Sequence, residues 1–102
     1  MNNLNQLMKQ AQQMQAKLAE AQNRVNSMEF SGTSGGGMVT AVLNGKGEML
    51  RVSIDPKLMV ADEAEIVGDL IVAAHNDAKA KIEAIMTEEM GGLIPSGMKM
   101  PF

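Results

Sequence analysis

Residues 38–54, MVTAVLNGKGEMLRVSI, contain two runs of mostly apolar residues on either side of a short polar segment. That segment, residues 44–47, reads NGKG. Asn-Gly is a strong hairpin signal because the favoured two-residue turn needs positive φ angles at both central positions. The stretch therefore predicts two antiparallel strands, over about residues 38–43 and 48–54, that are joined by a two-residue turn.

The two strands are expected to collect apolar residues on one face, because successive side chains of a strand point to opposite faces. With a two-residue turn, one face of the hairpin is wholly apolar, and we expect it to meet the helices. Its residues are candidates for the core or for a dimer interface: Val39, Ala41, Leu43, Leu50, Val52 and Ile54. The opposite face is mixed and would meet solvent or a partner sheet.

A long helix is predicted before the hairpin, over about residues 3–27, which contain neither Gly nor Pro. Its apolar residues recur at steps of three and four, which is the a/d pattern of a heptad seam. The seam consists of Leu4, Leu7, Ala11, Met14, Leu18, Ala21, Val25 and Met28. A helix of about 26 residues is about 39 Å long, whereas a compact chain of this size has a radius of gyration of about 13 Å. We expect one part of the helix to pack on the hairpin and the other to project.

A second helix is predicted over about residues 62–90, where Asp62 and Glu65 resemble a capping box. Residues 29–33 are expected to add a first strand, before a bend at the glycines of residues 35–37. The order of a helix, three consecutive antiparallel strands and a helix belongs to the α+β class. We expect one domain over residues 1–92 and a flexible tail over residues 93–102.

The composition excludes several classes of protein. The chain of 102 residues has no Cys, Trp or Tyr, and it contains 11 Met. Without cysteine there are no disulfides and no thiol-based metal sites. No run reaches the ~18 consecutive apolar residues of a membrane span, so we expect no membrane partner. A small core with so few aromatic side chains is expected to gain burial by forming an oligomer.

Catalytic residues are not evident in this sequence. His75 is the only histidine, and it is interpreted as an ordinary helix residue, since a zinc site or a catalytic site needs further partners. The glycines of residues 35–37 precede a strand instead of opening a helix, so they do not match a phosphate-binding loop. We expect no enzymatic activity, no cofactor, no metal and no small-molecule substrate.

Positive charge is concentrated in the first part of the chain, although the net charge is −3. Basic residues exceed acidic ones by two over residues 1–60, and acidic residues exceed basic ones by five over residues 61–102. On the polar face of the first helix, Lys9, Lys17 and Arg24 form a rough line among Gln and Asn residues. Such a line can follow a phosphate backbone. It is also typical of an ordinary solvated helix face, and both interpretations remain open at this point.

Several local sequences occur in the same order as in a known family. They are LMKQAQQMQ at residues 7–15, GGGMV at 35–39, NGKGE at 44–48, IDP at 54–56, DLIVAAHNDA at 69–78 and MGGL at 90–93. No single segment is specific, but the ordered set covers nearly the whole chain. On these segments the chain resembles the YbaB/EbfC family of bacterial nucleoid-associated DNA-binding proteins.

The resemblance implies a protomer of helix, three strands and helix, and a tweezer-shaped homodimer with projecting helices. It also implies binding to double-stranded DNA in the cytoplasmic nucleoid, with altered DNA conformation and an effect on gene expression. It implies neither an enzymatic activity nor a cofactor. The family's DNA contact is ascribed to its helices, so the basic residues of both helices become candidates: Lys9, Lys17, Arg24, Lys79 and Lys81.

A hypothesis from a different class is a dimeric adaptor that binds another protein. It would use the Gln-rich face of the first helix and the Met-rich tail, because methionine side chains suit adaptable contacts. Stacking on single-stranded bases is not expected, since no aromatic residue lies among the basic ones. Binding of duplex DNA at low salt would favour the hypothesis of a DNA-binding homodimer over that of an adaptor.

Overall fold

The computed structural model describes residues 2–91, and its elements follow the predicted order. Helix α1 spans Asn2–Asn26 and helix α2 spans Ala64–Gly91. Between them lie three strands: β1 over Glu29–Ser34, β2 over Val39–Asn44 and β3 over Met49–Ile54. The strands form one antiparallel sheet in the order β1-β2-β3. The predicted α+β class, with a three-stranded sheet between two helices, is confirmed.

The start of α2 differs from the prediction. Residues Ala61–Glu63 form a separate 3₁₀ turn, and the α-helix follows from Ala64. The N-cap of this turn is Val60, and no side chain caps it. Asp62 and Glu65 therefore do not act as the expected capping box. The tail that was expected over residues 93–102 lies outside the described residues.

The hairpin between β2 and β3 closes with three loop residues, so the prediction of a two-residue turn is wrong. Asn44 N donates to Glu48 O at 2.9 Å, and Gly47 N donates to Asn44 O at 3.0 Å. Gly47 has a φ angle of 84°, the left-handed conformation that ends the common three-residue hairpin loop. The Asn44 side chain holds the loop, because its Oδ1 accepts from the backbone N–H groups of Lys46 at 2.9 Å and of Glu48 at 3.1 Å.

A bulge beside the loop restores the predicted faces further along the hairpin. The partners across β2 and β3 are Val39 and Ile54, Thr40 and Ser53, Ala41 and Val52, Val42 and Arg51, and Leu43 and Met49. Leu50 is the extra residue of the bulge. The longer loop and the bulge each shift the register by one residue, and the two shifts together keep the alternation of faces beyond them. Next to the loop, however, Met49 takes the position that was expected of Leu50.

Helix α2 packs mainly on β1 and β2, and it comes closest to the sheet at Gly32. A Cβ atom at Gly32 would collide with the backbone of Ala74 and Ala78, both of which are fully buried. The small residues thus let the backbone of the helix touch the backbone of the strand. Ser34 Oγ donates to Leu70 O at 2.6 Å and adds a second attachment one turn away. These contacts fix the direction of α2 across the sheet.

The outer edge of β1 is capped by side chains of α2. Asp77 Oδ2 accepts from the backbone N–H of Thr33 at 3.0 Å, and Lys81 Nζ donates to Ser31 O at 2.6 Å. An open edge strand presents unpaired backbone groups to which another strand can bind. Since β1 is capped in this way, β3 is the open edge of the sheet within residues 2–91.

Two clusters of buried apolar residues lie under α2. One joins the end of α1 to the sheet and to the second half of α2, and it contains Val25, Phe30, Leu43, Ala78 and Ile82. The other lies under the first half of α2 and contains Val39, Ala41, Leu58 and Ala74. The core is therefore built from aliphatic side chains and alanines, with Phe30 as its one buried aromatic residue among those described.

The apolar face that was predicted for the hairpin is only partly covered. Val39, Ala41 and Leu43 are fully buried, and Ile54 is half-buried. In contrast, Leu50 is 47% exposed and Val52 is 41% exposed. The expectation that the helices cover the whole face is wrong, because α2 lies over β1 and β2 and leaves most of β3 uncovered.

Helix α1 is attached to the rest of the protein near its C-terminal end. Ala21 and Val25 are fully buried. The hairpin loop packs against the last turn of α1, since a Cβ atom at Gly45 would collide with the Val25 carbonyl group. These contacts hold the end of α1 between the hairpin loop and the second half of α2.

The rest of α1 projects from the sheet, as its length predicted. Along the seam, Leu18 and Met14 are half-buried, whereas Leu7 is 62% and Leu4 is 60% exposed. The protein measures 73 × 24 × 16 Å and has a radius of gyration of 19.5 Å, well above the ~13 Å of a compact chain of this size. We refer to residues 2–18 of α1 as the arm.

We expect Gly32→Ala to lower the free energy of unfolding by about 2–3 kcal/mol, because a methyl group there forces α2 away from β1. Gly68→Ala is the matched control. A Cβ atom at Gly68 meets nothing within 4 Å, so this change should raise the stability by about 0.5–1 kcal/mol through helix propensity alone. Urea unfolding followed by circular dichroism measures both. Equal stability of Gly32→Ala and the wild type would show that the two backbones do not touch.

Candidate nucleic-acid interface

The arm carries two basic residues in solvent. Lys9 and Lys17 are exposed, and neither has an acidic partner within 4.0 Å among residues 2–91. Eight residues of α-helix separate them by about 12 Å along the axis. At 100° per residue, Lys9 lies nearly opposite the apolar seam and Lys17 lies about a quarter of a turn from it. Both ammonium groups are therefore accessible to a polyanion while the seam faces elsewhere.

Arg24 is engaged by the second helix. Its Nη2 atom lies 2.8 Å from Glu89 Oε2, in an ion pair that is partly exposed to solvent. The hydrogen bond from Arg24 to Glu89 and the attraction of the two charges raise the pKa of Arg24, with a smaller contribution from Glu20. Of the three basic residues on the predicted line of α1, Arg24 thus holds α1 to α2, whereas the other two stand on the arm.

The two candidates on α2 differ in the same way. Lys81 is held by Ser31 O at 2.6 Å and by Asp77 Oδ2 at 3.7 Å, so its ammonium group belongs to the cap on the edge of β1. Lys79 is exposed and makes no ion pair within the described part of the chain. The structure does not bring the five candidates together, because those on α2 lie along the sheet and those on the arm lie beyond it.

The two helices have opposite charge. Helix α1 contains three basic residues and one acid, Glu20. Helix α2 contains two basic residues against six acids: Glu65, Asp69, Asp77, Glu83, Glu88 and Glu89. A phosphate backbone is therefore attracted by α1 and repelled by most of the surface of α2.

The open edge of the sheet carries exposed apolar side chains. Met49, Leu50 and Val52 of β3 are each between 40% and 47% exposed. Exposed apolar residues that lie side by side mark sites of protein–protein contact more often than isolated ones do. Leu50 and Val52 were predicted as core or dimer residues, and the single chain leaves them available for a second chain.

A shallow apolar depression lies between the segment after β3 and the first turns of α2. It has a volume of about 300 Å³ and is lined by Leu58, Met59, Val60, Ala64 and Val67. Its lining holds no titratable or hydrogen-bonding side chain. The depression therefore adds apolar surface near the end of β3 and contains no group that could act as an acid, a base or a nucleophile.

Metal sites and membrane spans were also searched for in the described residues. No group of three or more His, Asp or Glu side chains among them is arranged to hold a metal ion. None of the described helices has both the length and the apolar character needed to span a membrane. His75 is half-buried on α2 and belongs to no such group.

Sequence reasoning missed the partners of two candidates. Glu89 lies 65 residues from Arg24, so no local pattern indicates their ion pair. Asp77 and Lys81 are four residues apart on a helix, and this spacing is a signal for a pair on one helix face. The same spacing does not reveal that both side chains also bond to the edge of β1.

The order of the elements, the projecting α1 and the basic arm are the features that the resemblance to a DNA-binding family implied. Residues 1–98 match the YbaB/EbfC DNA-binding family. The chain belongs to the YbaB/EbfC DNA-binding family. This family is a family of DNA-binding proteins and not a known enzyme family.

Relatives of this YbaB/EbfC protein match over nearly its whole length. A nucleoid-associated protein of Granulibacter bethesdensis is 57% identical over 107 aligned positions, which cover 100% of both chains. A nucleoid-associated protein of Brucella ovis is 52% identical over 101 positions, with 94% of each chain covered. A protein of the same description from Brucella canis has the same identity and coverage.

The fold of this YbaB/EbfC protein also has a counterpart among solved structures. The crystal structure of an uncharacterized protein from Helicobacter pylori superposes with a TM-score of 0.77 at 23% sequence identity. The superposition covers 89% of this chain and 96% of the other. At this identity the likeness bears on the fold alone, and it supports the arrangement of a helix, a three-stranded sheet and a helix.

In this YbaB/EbfC protein we expect Lys81→Met to lower the free energy of unfolding by about 0.5–1 kcal/mol, because Ser31 O and Asp77 lose a charged partner at a partly solvated site. Lys79→Met serves as the control, since Lys79 lies on the same helix without such contacts, and it should stay within about 0.5 kcal/mol of the wild type. Thermal unfolding measures both variants. If the two substitutions lower the free energy of unfolding by the same amount, Lys81 does not stabilise the edge of β1.

Proposed function

We propose that this protein is a homodimer that binds double-stranded DNA along the arms of its two α1 helices, with little sequence preference. The observation that carries the proposal is the exposed pair Lys9 and Lys17 on a helix that projects from the body of a DNA-binding family member. Exposed lysines attract the phosphate groups of DNA whatever its base sequence.

Contact through phosphates fits the chemistry of the arm. Its polar face consists of lysines and of glutamines that can donate hydrogen bonds to phosphate oxygens: Gln6, Gln10, Gln12 and Gln13. No arginine lies within residues 2–18, so the bidentate contact with guanine that is the commonest specific contact is not available there. Weak sequence preference is the expected result.

A homodimer supplies a second arm and covers the open edge of the sheet. Leu50 and Val52 are exposed on β3, whereas α2 caps the edge of β1, so β3 is the side on which a second chain would bury apolar surface. Small homo-oligomers usually close with twofold symmetry. Two arms related by such an axis would lie on either side of a duplex and alter its conformation.

The cellular role follows from non-specific DNA binding. Relatives at 52–57% identity are named nucleoid-associated proteins, which supports a place in the nucleoid for this chain as well. A protein that covers and bends DNA there would affect the expression of nearby genes. Catalysis forms no part of this proposal, and binding requires no cofactor.

We expect the double substitution Lys9→Ala and Lys17→Ala to weaken the binding of duplex DNA and to reduce its dependence on salt. A dimer with about 4–6 phosphate contacts has a slope of about −4 to −5 in a plot of log K against log salt. Loss of two lysines from each protomer should reduce the magnitude of that slope by about 2–4. Fluorescence anisotropy with a labelled duplex at several salt concentrations measures the slope.

The control for this experiment is the double substitution Lys46→Ala and Lys57→Ala. It changes the net charge by the same amount, but both lysines are exposed outside the arm, Lys46 in the hairpin loop and Lys57 in the 3₁₀ turn Pro56–Leu58. The control should change the slope by less than half as much as the arm variant. An equal loss in both variants would contradict a role of the arm, and no binding of wild-type protein at low salt would contradict DNA binding itself.

We expect Val52→Asp to separate the dimer, because it places a charge in apolar surface that a second chain would cover. Ser53→Asp is the control, since Ser53 is the next residue of the same strand and points to the opposite face of the sheet. Analytical ultracentrifugation measures the mass of both variants. A Val52→Asp protein that sediments as a dimer as stable as the Ser53→Asp protein would rule out this face of β3 as the interface.

A further inference from the structure

Arg24 continues the line of basic residues that the arm presents to solvent. It follows Lys17 by seven residues, so at 100° per residue the two side chains leave the helix within about 20° of each other. They lie about 10 Å apart along the axis of α1. One strand of a duplex carries a phosphate every ~3.4 Å along its axis, so a strand that follows α1 brings phosphates near both residues. The basic surface of the arm therefore extends beyond residue 18 to Arg24.

The guanidinium group of Arg24 is only partly engaged by its acidic partner. Nη2 donates one hydrogen bond to Glu89 Oε2 at 2.8 Å, and 58% of the Arg24 side chain remains exposed. A guanidinium group has five N–H donors in a planar fork, and it can bind a carboxylate or a phosphate through two parallel hydrogen bonds. The single hydrogen bond to Glu89 leaves most of these donors available to a second acceptor.

Glu89 determines how strongly Arg24 attracts a phosphate. The packing of Val25 with Ile82 holds α2 beside α1, so the Glu89 carboxylate stays next to the guanidinium group. A phosphate that approaches Arg24 therefore meets a positive and a negative charge together. Glu20 of α1 adds a second negative charge nearby, and it contributes less than Glu89 to the raised pKa of Arg24. Removal of Glu89 alone would leave a stronger attraction for phosphate at Arg24.

The ion pair between Arg24 and Glu89 can break without releasing α1. Both side chains are partly exposed, at 58% and 34%, and exposed ion pairs typically change an equilibrium constant by no more than about fivefold. The attachment of α1 depends on other contacts, because Ala21 and Val25 are fully buried and the hairpin loop packs against the Val25 carbonyl group. A different anion can therefore replace Glu89 at Arg24 while the fold stays the same.

We propose that Glu89 competes with DNA for Arg24 within the same chain. In the free protein Glu89 holds the guanidinium group, and on binding a phosphate of the duplex takes the place of the carboxylate. This inference rests on the proposed binding of duplex DNA by the arms. Arg24 then adds a phosphate contact about 10 Å beyond Lys17 on each α1. Glu89 thus lowers the affinity of the wild-type protein for DNA through Arg24, without a contact of its own to the duplex.

Glu89→Gln should tighten the binding of duplex DNA by about two- to fivefold for each protomer in contact, because Arg24 then meets the duplex without a competitor. Glu88→Gln is the matched control. Glu88 is the exposed neighbour on α2, it makes no ion pair within residues 2–91, and its loss changes the net charge by the same amount. The control should tighten binding by less than half as much. Fluorescence anisotropy with a labelled duplex at 0.1 M salt measures both variants.

The outcomes of this comparison separate the competition from DNA binding itself. Wild-type protein that binds, with equal affinities of Glu89→Gln and Glu88→Gln, would overturn the competition alone. Weaker binding by Glu89→Gln would also overturn it, since the ion pair would then support the contact with DNA. No binding of wild-type protein at low salt would overturn the proposed function, and the competition with it.

A double-mutant cycle tests whether Glu89 acts through Arg24. In a chain that already carries Arg24→Gln, the further change Glu89→Gln should alter the affinity for DNA no more than Glu88→Gln does, because the group for which Glu89 competes is gone. Arg24→Gln alone should weaken binding. A gain from Glu89→Gln that is just as large without Arg24 would contradict the proposal. Urea unfolding followed by circular dichroism shows that each variant is folded.

The side-chain Nε–Hε NMR signals of arginine test the exchange in the unaltered protein, since Arg24 and Arg51 are the only arginines of the chain. Saturating duplex DNA should shift the signal of Arg24. It should leave the signal of Arg51, which pairs with Glu29 at 2.7 Å on the sheet, in place. An Arg24 signal that does not move would overturn the proposal. Inorganic phosphate at the same phosphate concentration should shift Arg24 less than half as far, and an equal shift would show a site for small anions instead of the duplex.

Discussion

The direct contact between the backbones of β1 and α2 at Gly32 is the constraint on which the remaining structure depends. The absence of a side chain at Gly32, together with Ala74 and Ala78, lets the helix lie on the strand itself. This position places Asp77 and Lys81 at the outer edge of β1, where they bond to its backbone. It also carries the second half of α2 past the sheet, where it meets α1. A bulkier residue at any of the three positions would change the direction of α2 and with it the docking of α1.

The attachment of α1 is small in comparison with its length. Ala21 and Val25 are buried, Arg24 pairs with Glu89, and the hairpin loop closes on the last turn at Gly45. The arm beyond is made of residues with high helix propensity, but a helical segment of this length is only marginally stable in water without packing. The same attachment therefore creates a projecting arm and leaves that arm in need of a contact along its seam.

The sequence predicted the elements well because their signals are local. The heptad rhythm of α1, the apolar runs of the hairpin and their order indicate the α+β class without tertiary information. The predicted two-residue turn was wrong because the Asn44 side chain accepts hydrogen bonds from two backbone N–H groups, those of Lys46 and Glu48, and this favours three loop residues. The exposure of Leu50 and Val52 was not predicted, because periodicity shows which face of a strand is apolar but not how far a helix reaches across that face. The pairing of Arg24 with Glu89 depends on contacts between distant segments, which no local pattern contains.

The net charge of −3 is a poor guide to the behaviour of the arm, because charge acts locally in salt. Lys9 lies 15 residues from Arg24 and its partner Glu89, a distance of about 22 Å along α1. At 0.1 M salt the Debye length is about 10 Å, so Lys9 lies more than two Debye lengths from Glu89. Salt therefore screens most of the effect of that acid at Lys9. A phosphate beside the outer half of the arm therefore meets Lys9 and amides, whereas Lys17, about 10 Å along α1 from Arg24, lies about one Debye length from Glu89. The length of the arm is thus an electrostatic property as well as a mechanical one, since a shorter α1 would bring Lys9, like Lys17, within range of the acids on α2.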